Sequence, residues 1–270
     1  MPTRRLAKTK YLLQTDGVHA AVRQLSSLLW LHLRLKAMNH KKSAELDGCT
    51  FGVQTIPDSY TKLGLLNGRY ELPERRAIQR HLKRDLPVIE LGGALGVVAC
   101  ITNKLLAHPK DHVVVEANPL AVRQLILNKT SNHCEFEIVN CALAYGVDSV
   151  TFCPRVEMDA TSIESDGSGL DKTEQAVTVP TVQLGRIVSD RGFSRFCLVC
   201  DIEGKEYDLI CHELEVLRKA DVIILETHPL LIGEDKNQFL INSLIDVGFR
   251  IVEHDGSVIT LEQTVYDILP

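Results

Sequence analysis

The sequence predicts an α/β protein built on a mostly parallel sheet with helices on both faces. Three observations point there. Apolar runs of strand length alternate with helical periodicities from Val88 onward. Two of those runs, at Val88–Glu90 and His112–Glu116, end on a carboxylate. The chain then closes with Phe249–His254 and Val258–Gln263 on either side of Asp255-Gly256, a pair that favours a tight hairpin.

The 270 residues, 45% hydrophobic and 24% charged, suit one α/β domain with an extension. The expected division is a basic helical N-terminal extension over 1–47 and the main domain over 48–270. Residues 1–43 hold nine cations, including Arg4, Arg5, Lys8 and Lys10, against Asp16 alone, so this segment carries about +8 and the remainder about −13. An acidic body argues against a nucleic-acid partner. The basic arm would suit peripheral contact with an anionic membrane surface.

Eight cysteines are scattered, several inside apolar runs, as buried free thiols are. Cys197 and Cys200 have the spelling of a zinc or redox pair, but three residues apart on a strand they face opposite sides. A reducing, cytoplasmic setting is the expectation. The most apolar stretch, Leu25–Leu35, is broken by His32 and Arg34 and is too short to span a bilayer. No signal-peptide pattern opens the chain.

In order, Val22 through Leu33 make a helical apolar band, and Gly48–Ile56 alternates like a strand. Pro73 suits the start of a helix reaching Leu82. The organising stretch is Val88–Val98, a strand, a glycine-rich turn and a new helix through Ile101 and Leu105. Glycines permit the turn, and the helix amino end points at the same spot. Position 94 is Ala and position 97 is Val, so the dinucleotide pattern G-x-G-x-x-G is missing. Glu90 with Gly92, Gly93 and Gly96 fits S-adenosylmethionine better.

Glu116 ends the second strand where it could accept hydrogen bonds from two ribose hydroxyls. A helix over Leu120–Asn128 follows, with Leu120, Val122, Leu125 and Ile126 expected to face inward. After a third strand over Glu135–Val139, strand-like alternation at Ser149–Cys153 and Val177–Val182 replaces the expected helix. These two flank a polar loop, Asp159–Lys172, expected to close the site. A helix over Gln183–Asp190 ends at Gly192. The strand Phe196–Cys200 delivers Asp201 to Glu206, and Val222–Leu225 delivers Glu226, Thr227 and His228 to the same edge. Helices from about Tyr207 to Leu217 and over Asn237–Val247 complete the series. A parallel sheet closing with a hairpin is usual for methyltransferases and unusual for dinucleotide dehydrogenases.

From Tyr70 to His254 the sequence resembles the FkbM family of S-adenosylmethionine-dependent methyltransferases. The matching residues are Val88–Gly96, Glu116-Ala117-Asn118-Pro119, Asn140-Cys141-Ala142-Leu143, Thr161-Ser162, and Val179–Leu184 leading to Asp201–Glu206. It departs at Glu90, where Asp is commoner, and at Gly93-Ala94, where Ala-Asn is often found. The resemblance implies a class I, Rossmann-like methyltransferase fold with a seven-stranded sheet whose last strand is antiparallel. It also implies O-methylation of a hydroxyl on a sugar, glycolipid or natural product. The cofactor-binding set is then Glu90, Gly92, Gly93, Gly96, Glu116, Ala117, Asn118, Asn140, Cys141 and Asp201.

An alcohol is a weak nucleophile at neutral pH, so a base or a metal should stand beside it. Asp201 is expected to contact cofactor or acceptor, with Glu203 or a neutral His228 as base. Alternatively Asp201, Glu203 and Glu226 converge on Mg2+, which favours carboxylate oxygens. The competing functions are a non-catalytic binding protein retaining the fold and a nicotinamide-dependent oxidoreductase. The partner implied is a small-molecule or glycan acceptor.

Overall fold

The computed structural model describes residues 41–56, 58–153 and 176–264. Most of the basic N-terminal extension, the loop Asp159–Lys172 and the Thr161-Ser162 pair lie outside the described residues. The chain groups into two compact units, one holding 41–45 with 52–70 and the other 46–51 with 71–264. Strands β1 (Ser43–Leu46) and β2 (Cys49–Gly52) flank Asp47 and Gly48, whose φ values are 47° and 82°. In the first unit, helix α1 (Ser59–Leu66) starts where Asp58 Oδ2 accepts from the Thr61 amide at 2.6 Å.

The second unit carries the sheet. Its strands are β3 (Val88–Leu91), β4 (His112–Val115), β5 (Glu137–Val139), β9 (Phe196–Cys200), β10 (Ala220–Glu226), β11 (Phe249–Asp255) and β12 (Val258–Gln263), in the spatial order β11-β12-β10-β9-β3-β4-β5. All neighbours pair in parallel except β12, which is antiparallel to both β10 and β11. This is the mostly parallel seven-stranded sheet with a C-terminal hairpin that the sequence predicts, with β9 at its centre and β3 beside it. The order reverses at β3, and in open α/β sheets the carboxyl ends of strands at such a reversal form a crevice. A small three-stranded sheet, β6 (Ala142–Leu143), β8 (Val177–Val182) and β7 (Ser149–Phe152), takes the place of the missing helix after β5.

Both faces of the large sheet are buried, so its central strands are apolar throughout rather than alternating. Ile89, Leu91, Leu198, Cys200, Ile223 and Leu225 point to one face. They pack on Leu184, Ile187 and Val188 of α5 (Leu184–Arg191), Leu209 and Ile210 of α6 (Glu206–Leu217), and Leu240 and Leu244 of α8 (Glu234–Asp246). Val88, Cys197, Val199, Val222 and Ile224 point to the other, against Ala77 and Ile78 of α2 (Leu72–His81) and Val98 of α3 (Val97–Leu105). Cys197 and Cys200 therefore belong to opposite cores and form no pair, as their spacing implies.

Helix α4 (Pro119–Ser131) corrects one expectation. Its buried residues are Ala121, Gln124, Leu125 and Asn128, while Leu120 and Ile126 are exposed and Val122 is half-buried. The inward stripe follows the helical repeat but is half polar, because Asn128 Nδ2 donates to the Leu95 carbonyl at 2.8 Å and so ties the helix to the glycine turn. Leu125 fills the space beside that turn: a Cβ on Gly96 would lie 2.3 Å from its Cδ1, and one on Gly93 would lie 3.3 Å from its Cδ2. Leu125→Ala should cost about 2–5 kcal/mol in denaturant unfolding, since it opens a cavity under the turn as well as removing buried carbon.

Candidate active site

The site grows from the carboxyl ends of β3, β9 and β10. After β3 the backbone turns through Gly92 (φ 93°), Ala94 (φ 40°) and Gly96 (φ 76°). The Gly92 amide donates to the Val115 carbonyl at 2.9 Å, and the Asp201 amide to the Leu91 carbonyl at 2.9 Å. The turn is thereby pressed against the end of β9.

Ala94 has a Cβ in left-handed backbone, a conformation that costs energy and needs support. Glu116 supplies it. Its Oε2 accepts from the Ala94 amide at 2.7 Å and its Oε1 from the Asn118 amide at 2.6 Å. Burial raises the Glu116 carboxyl pKa, against the pull of these amide bonds. Asn118 caps α4 by accepting from the Leu120 amide at 2.9 Å, and Asn140 Nδ2 donates to the Glu116 and Ala117 carbonyls at 2.7 and 3.1 Å. Glu116, Ala117, Asn118 and Asn140 thus form one hydrogen-bonded ledge.

The turn also borders a narrow pocket. Glu71, Glu74, Glu90, Gly92, Gly93 and Asp201 line it, along with Leu91, Val98, Val199, Cys200 and Ile224. Apart from the Cys200 thiol its titratable groups are carboxyls, and among the described lining residues there is no lysine or arginine. Burial, then the nearby Glu116 charge, raises Glu90 well above the usual carboxylate range. Burial likewise raises Glu74 to about 7, with the charge and hydrogen bond of Glu226 adding to it. Of the expected cofactor set, Glu90, Gly92, Gly93 and Asp201 meet in this pocket. Gly96 instead caps α3, and Cys141 is half-buried against the core.

A second cluster lies where β9 and β10 end. His228 Nδ1 and Glu206 Oε1 are 2.9 Å apart, and His228 Nε2 is 3.5 Å from both Asp201 Oδ1 and Glu203 Oε2. Glu206 is fully buried, and its Oε1 also accepts from the Ile202 and Gly204 amides, both at 3.2 Å. It closes the loop that leads from β9 into α6. Glu203 is held in left-handed backbone (φ 52°). Burial lowers the His228 pKa, but the Glu206 hydrogen bond and the Asp201 and Glu203 charges outweigh it and bring it to about 9. Burial, then the charges of Glu226 and Glu203, raises Asp201 well above its ordinary range, with His228 pulling it back.

Two members of the expected carboxylate triad, Asp201 and Glu203, come together. Among the described residues the group whose ligand atoms fall within 4.8 Å of one another is Asp201, Glu203 and His228. Glu226 lies outside that group: Ser257 Oγ, in the β11–β12 turn, donates to its Oε1 at 2.7 Å, although its charge still bears on Asp201. Sequence reasoning missed Glu206, Glu71 and Glu74 as site residues. Glu206 lies inside the Asp201–Glu206 run, and its acidic place in the first turn of α6 is a sufficient helix-end role by itself.

No family model matches the sequence, and no curated protein matches it either. Solved structures do resemble it. Fibrillarin from Aeropyrum pernix, with natively bound S-adenosyl-L-methionine, is 11% identical and covers 72% of this chain and 74% of its own, with a TM-score of 0.40. M. jannaschii TYW2 in complex with AdoMet is 13% identical, covering 82% and 86%, with a TM-score of 0.41. A protein of the NADB-Rossmann superfamily from Streptococcus agalactiae is 8% identical, covering 70% and 67%, with a TM-score of 0.42. Among the described residues no helix is long and apolar enough to cross a membrane.

Proposed function

We propose that the protein is an S-adenosylmethionine-dependent methyltransferase acting on a hydroxyl. The observation that carries this reading is the set of carboxyls around the narrow pocket at the glycine turn. Glu71, Glu74, Glu90 and Asp201 surround it. A sulfonium with an α-ammonium group beside these carboxyls would favour their ionised forms, whereas the pyrophosphate of a nicotinamide dinucleotide would find no cation among the described lining residues. That contrast disfavours the oxidoreductase reading. The Glu116 ledge then faces the ribose.

S-adenosylmethionine would supply the electrophilic methyl group, and the chain's own residues would do the rest. Glu90, Glu74 and Asp201 hold the charged end of the cofactor, and the turn fixes its direction. Asp201 and Glu203 stand where a hydroxyl proton would leave, and alignment of donor and acceptor supplies much of the acceleration. Leu230, two residues after His228 on α7 (Pro229–Ile232), is fully exposed. An apolar group this close to the cluster favours an acceptor with an apolar portion, in keeping with the glycolipid or natural-product part of the FkbM resemblance. The basic residues near the N-terminus fit peripheral contact with an anionic membrane.

Calorimetry tests the cofactor. S-adenosylmethionine should bind more tightly as pH rises through about 7, where Glu74 ionises, and should release protons on binding. S-adenosylhomocysteine, lacking the sulfonium charge, should show a weaker pH dependence. No heat from either ligand would sink the assignment. Asp201→Asn should lower methyl transfer by about 10²-fold or more while the chain still folds. Undiminished turnover would remove Asp201 from the chemistry.

A further inference from the structure

We infer that Asp201, Glu203 and His228 form a binding site for a first-row divalent cation of the Mn2+ to Zn2+ series, with Glu206 as the positioning residue behind it. Three features of the cluster support this. The first is spacing. His228 Nε2 stands 3.5 Å from Asp201 Oδ1 and 3.5 Å from Glu203 Oε2, too long for good hydrogen bonds to either. Ligand atoms around a cation with bonds of about 2.0–2.2 Å lie about 2.9–3.6 Å apart, depending on octahedral or tetrahedral geometry. The cluster's nitrogen-to-oxygen edges fall in that range.

The second is an orphan. Asp201 Oδ1, the oxygen that faces His228, has no exposed surface and no hydrogen-bond partner. A buried carboxylate oxygen left bare costs free energy unless something positive meets it. The third is the orientation of the imidazole. His228 Nδ1 faces Glu206 Oε1 at 2.9 Å, and the two backbone amides on the same oxygen keep that carboxylate in place. A carboxylate that accepts Nδ1–H fixes the ring orientation and aims Nε2 into the cluster, where a cation would displace its proton, and metal-binding histidines are commonly held this way.

The imidazole also decides which cations fit. Mg2+ prefers an all-oxygen shell and gives up its waters reluctantly, whereas an imidazole with two carboxylates suits Mn2+, Fe2+, Co2+ or Zn2+. This departs from the all-carboxylate Mg2+ set that the sequence suggests. The cation would lie beside the pocket assigned to the cofactor, where it would acidify an acceptor hydroxyl. That role rests on the methyltransferase reading, while the site itself does not.

The test is Mn2+ titration of the metal-free full chain, followed by loss of the free-ion paramagnetic resonance signal. Mn2+ avoids confusion with the thiols, which Zn2+ would also bind. One Mn2+ per chain is expected, at least tenfold tighter than Mg2+ by competition. His228→Gln and Glu203→Gly should each weaken binding at least tenfold. Glu203→Gly also removes a side chain from left-handed backbone, which relieves local strain, and a urea-unfolding curve on the same sample separates lost binding from lost folding. Glu206→Gln should weaken binding about 10–100-fold, and it should shift the visible spectrum of bound Co2+. Equal Mn2+ affinity in His228→Gln and Glu203→Gly, or no stoichiometric Mn2+ at all, overturns the site. Calorimetry with S-adenosylmethionine on the same samples separates the two readings. Cofactor heat without Mn2+ binding removes the metal site alone, and Mn2+ binding without cofactor heat leaves the metal site standing.

Discussion

Gly92→Ala is expected to leave little folded protein. A Cβ at this position would lie 1.7 Å from the Asp201 carbonyl oxygen and 2.8 Å from its carbonyl carbon, and the backbone φ is 93°. Neither obstacle can be relieved by a side-chain rotation, because the neighbour is backbone at the end of a central strand. The β3 turn and the β9 end would have to part, breaking the hydrogen bond from the Asp201 amide to the Leu91 carbonyl. A loss above about 4 kcal/mol is expected, beyond the ordinary range for one substitution. Recovery of soluble variant within 1 kcal/mol of the wild type in urea unfolding would show that the two strand ends are not packed this way. The same contact explains what the glycine is for: strand-end packing requires it even before a ligand arrives.

Glu74→Gln is expected to act in the opposite direction, and only above neutral pH. Glu74 is buried on α2, and burial together with Glu226 raises its pKa to about 7. A carboxyl whose folded pKa exceeds its unfolded value of about 4.5 stabilises the fold fully below that value. The contribution fades as pH rises and is gone above about 7. The variant cannot ionise, so it should match the wild type near pH 4.5 and exceed it by about 1–3 kcal/mol at pH 8. For a chain of this size that is a rise of several degrees in Tm. Parallel Tm curves for the two proteins across that range would show that Glu74 ionises normally. Under the function proposed above, the gain should come at the expense of cofactor affinity, because a carboxylate beside the glycine turn has been replaced by a neutral amide.

The functional site was legible in the sequence to the extent that it is built from strand ends. Glu90, Glu116, Asp201 and His228 each follow an apolar run, so their arrival at one sheet edge follows from a parallel order. What the sequence did not show is which neighbours each acid would choose. Glu226 has the same local setting as Asp201, yet it faces Ser257 and Glu74, residues from the hairpin turn and from α2. Its place beside Asp201 and Glu203 is taken by His228, two residues on. Helix α4 is a similar case. Its apolar residues suggested one inward stripe, but Gln124 and Asn128 are buried instead, because the Leu95 carbonyl needed a donor.

The sequence by itself determined the succession of strands and helices, the split of Cys197 and Cys200 between two cores, and the glycines at the turn. These depend on periods of two and 3.6 residues and on backbone sterics, which act within a few neighbours along the chain. Only the tertiary structure decided that Glu206 holds His228, that four carboxyls enclose one pocket, and that Leu125 and the Asp201 carbonyl occupy the space beside three glycines. Those outcomes depend on strand register and on distances between elements far apart in sequence. Hydrophobic periodicity records which side of an element is buried, but not which residue lies opposite it.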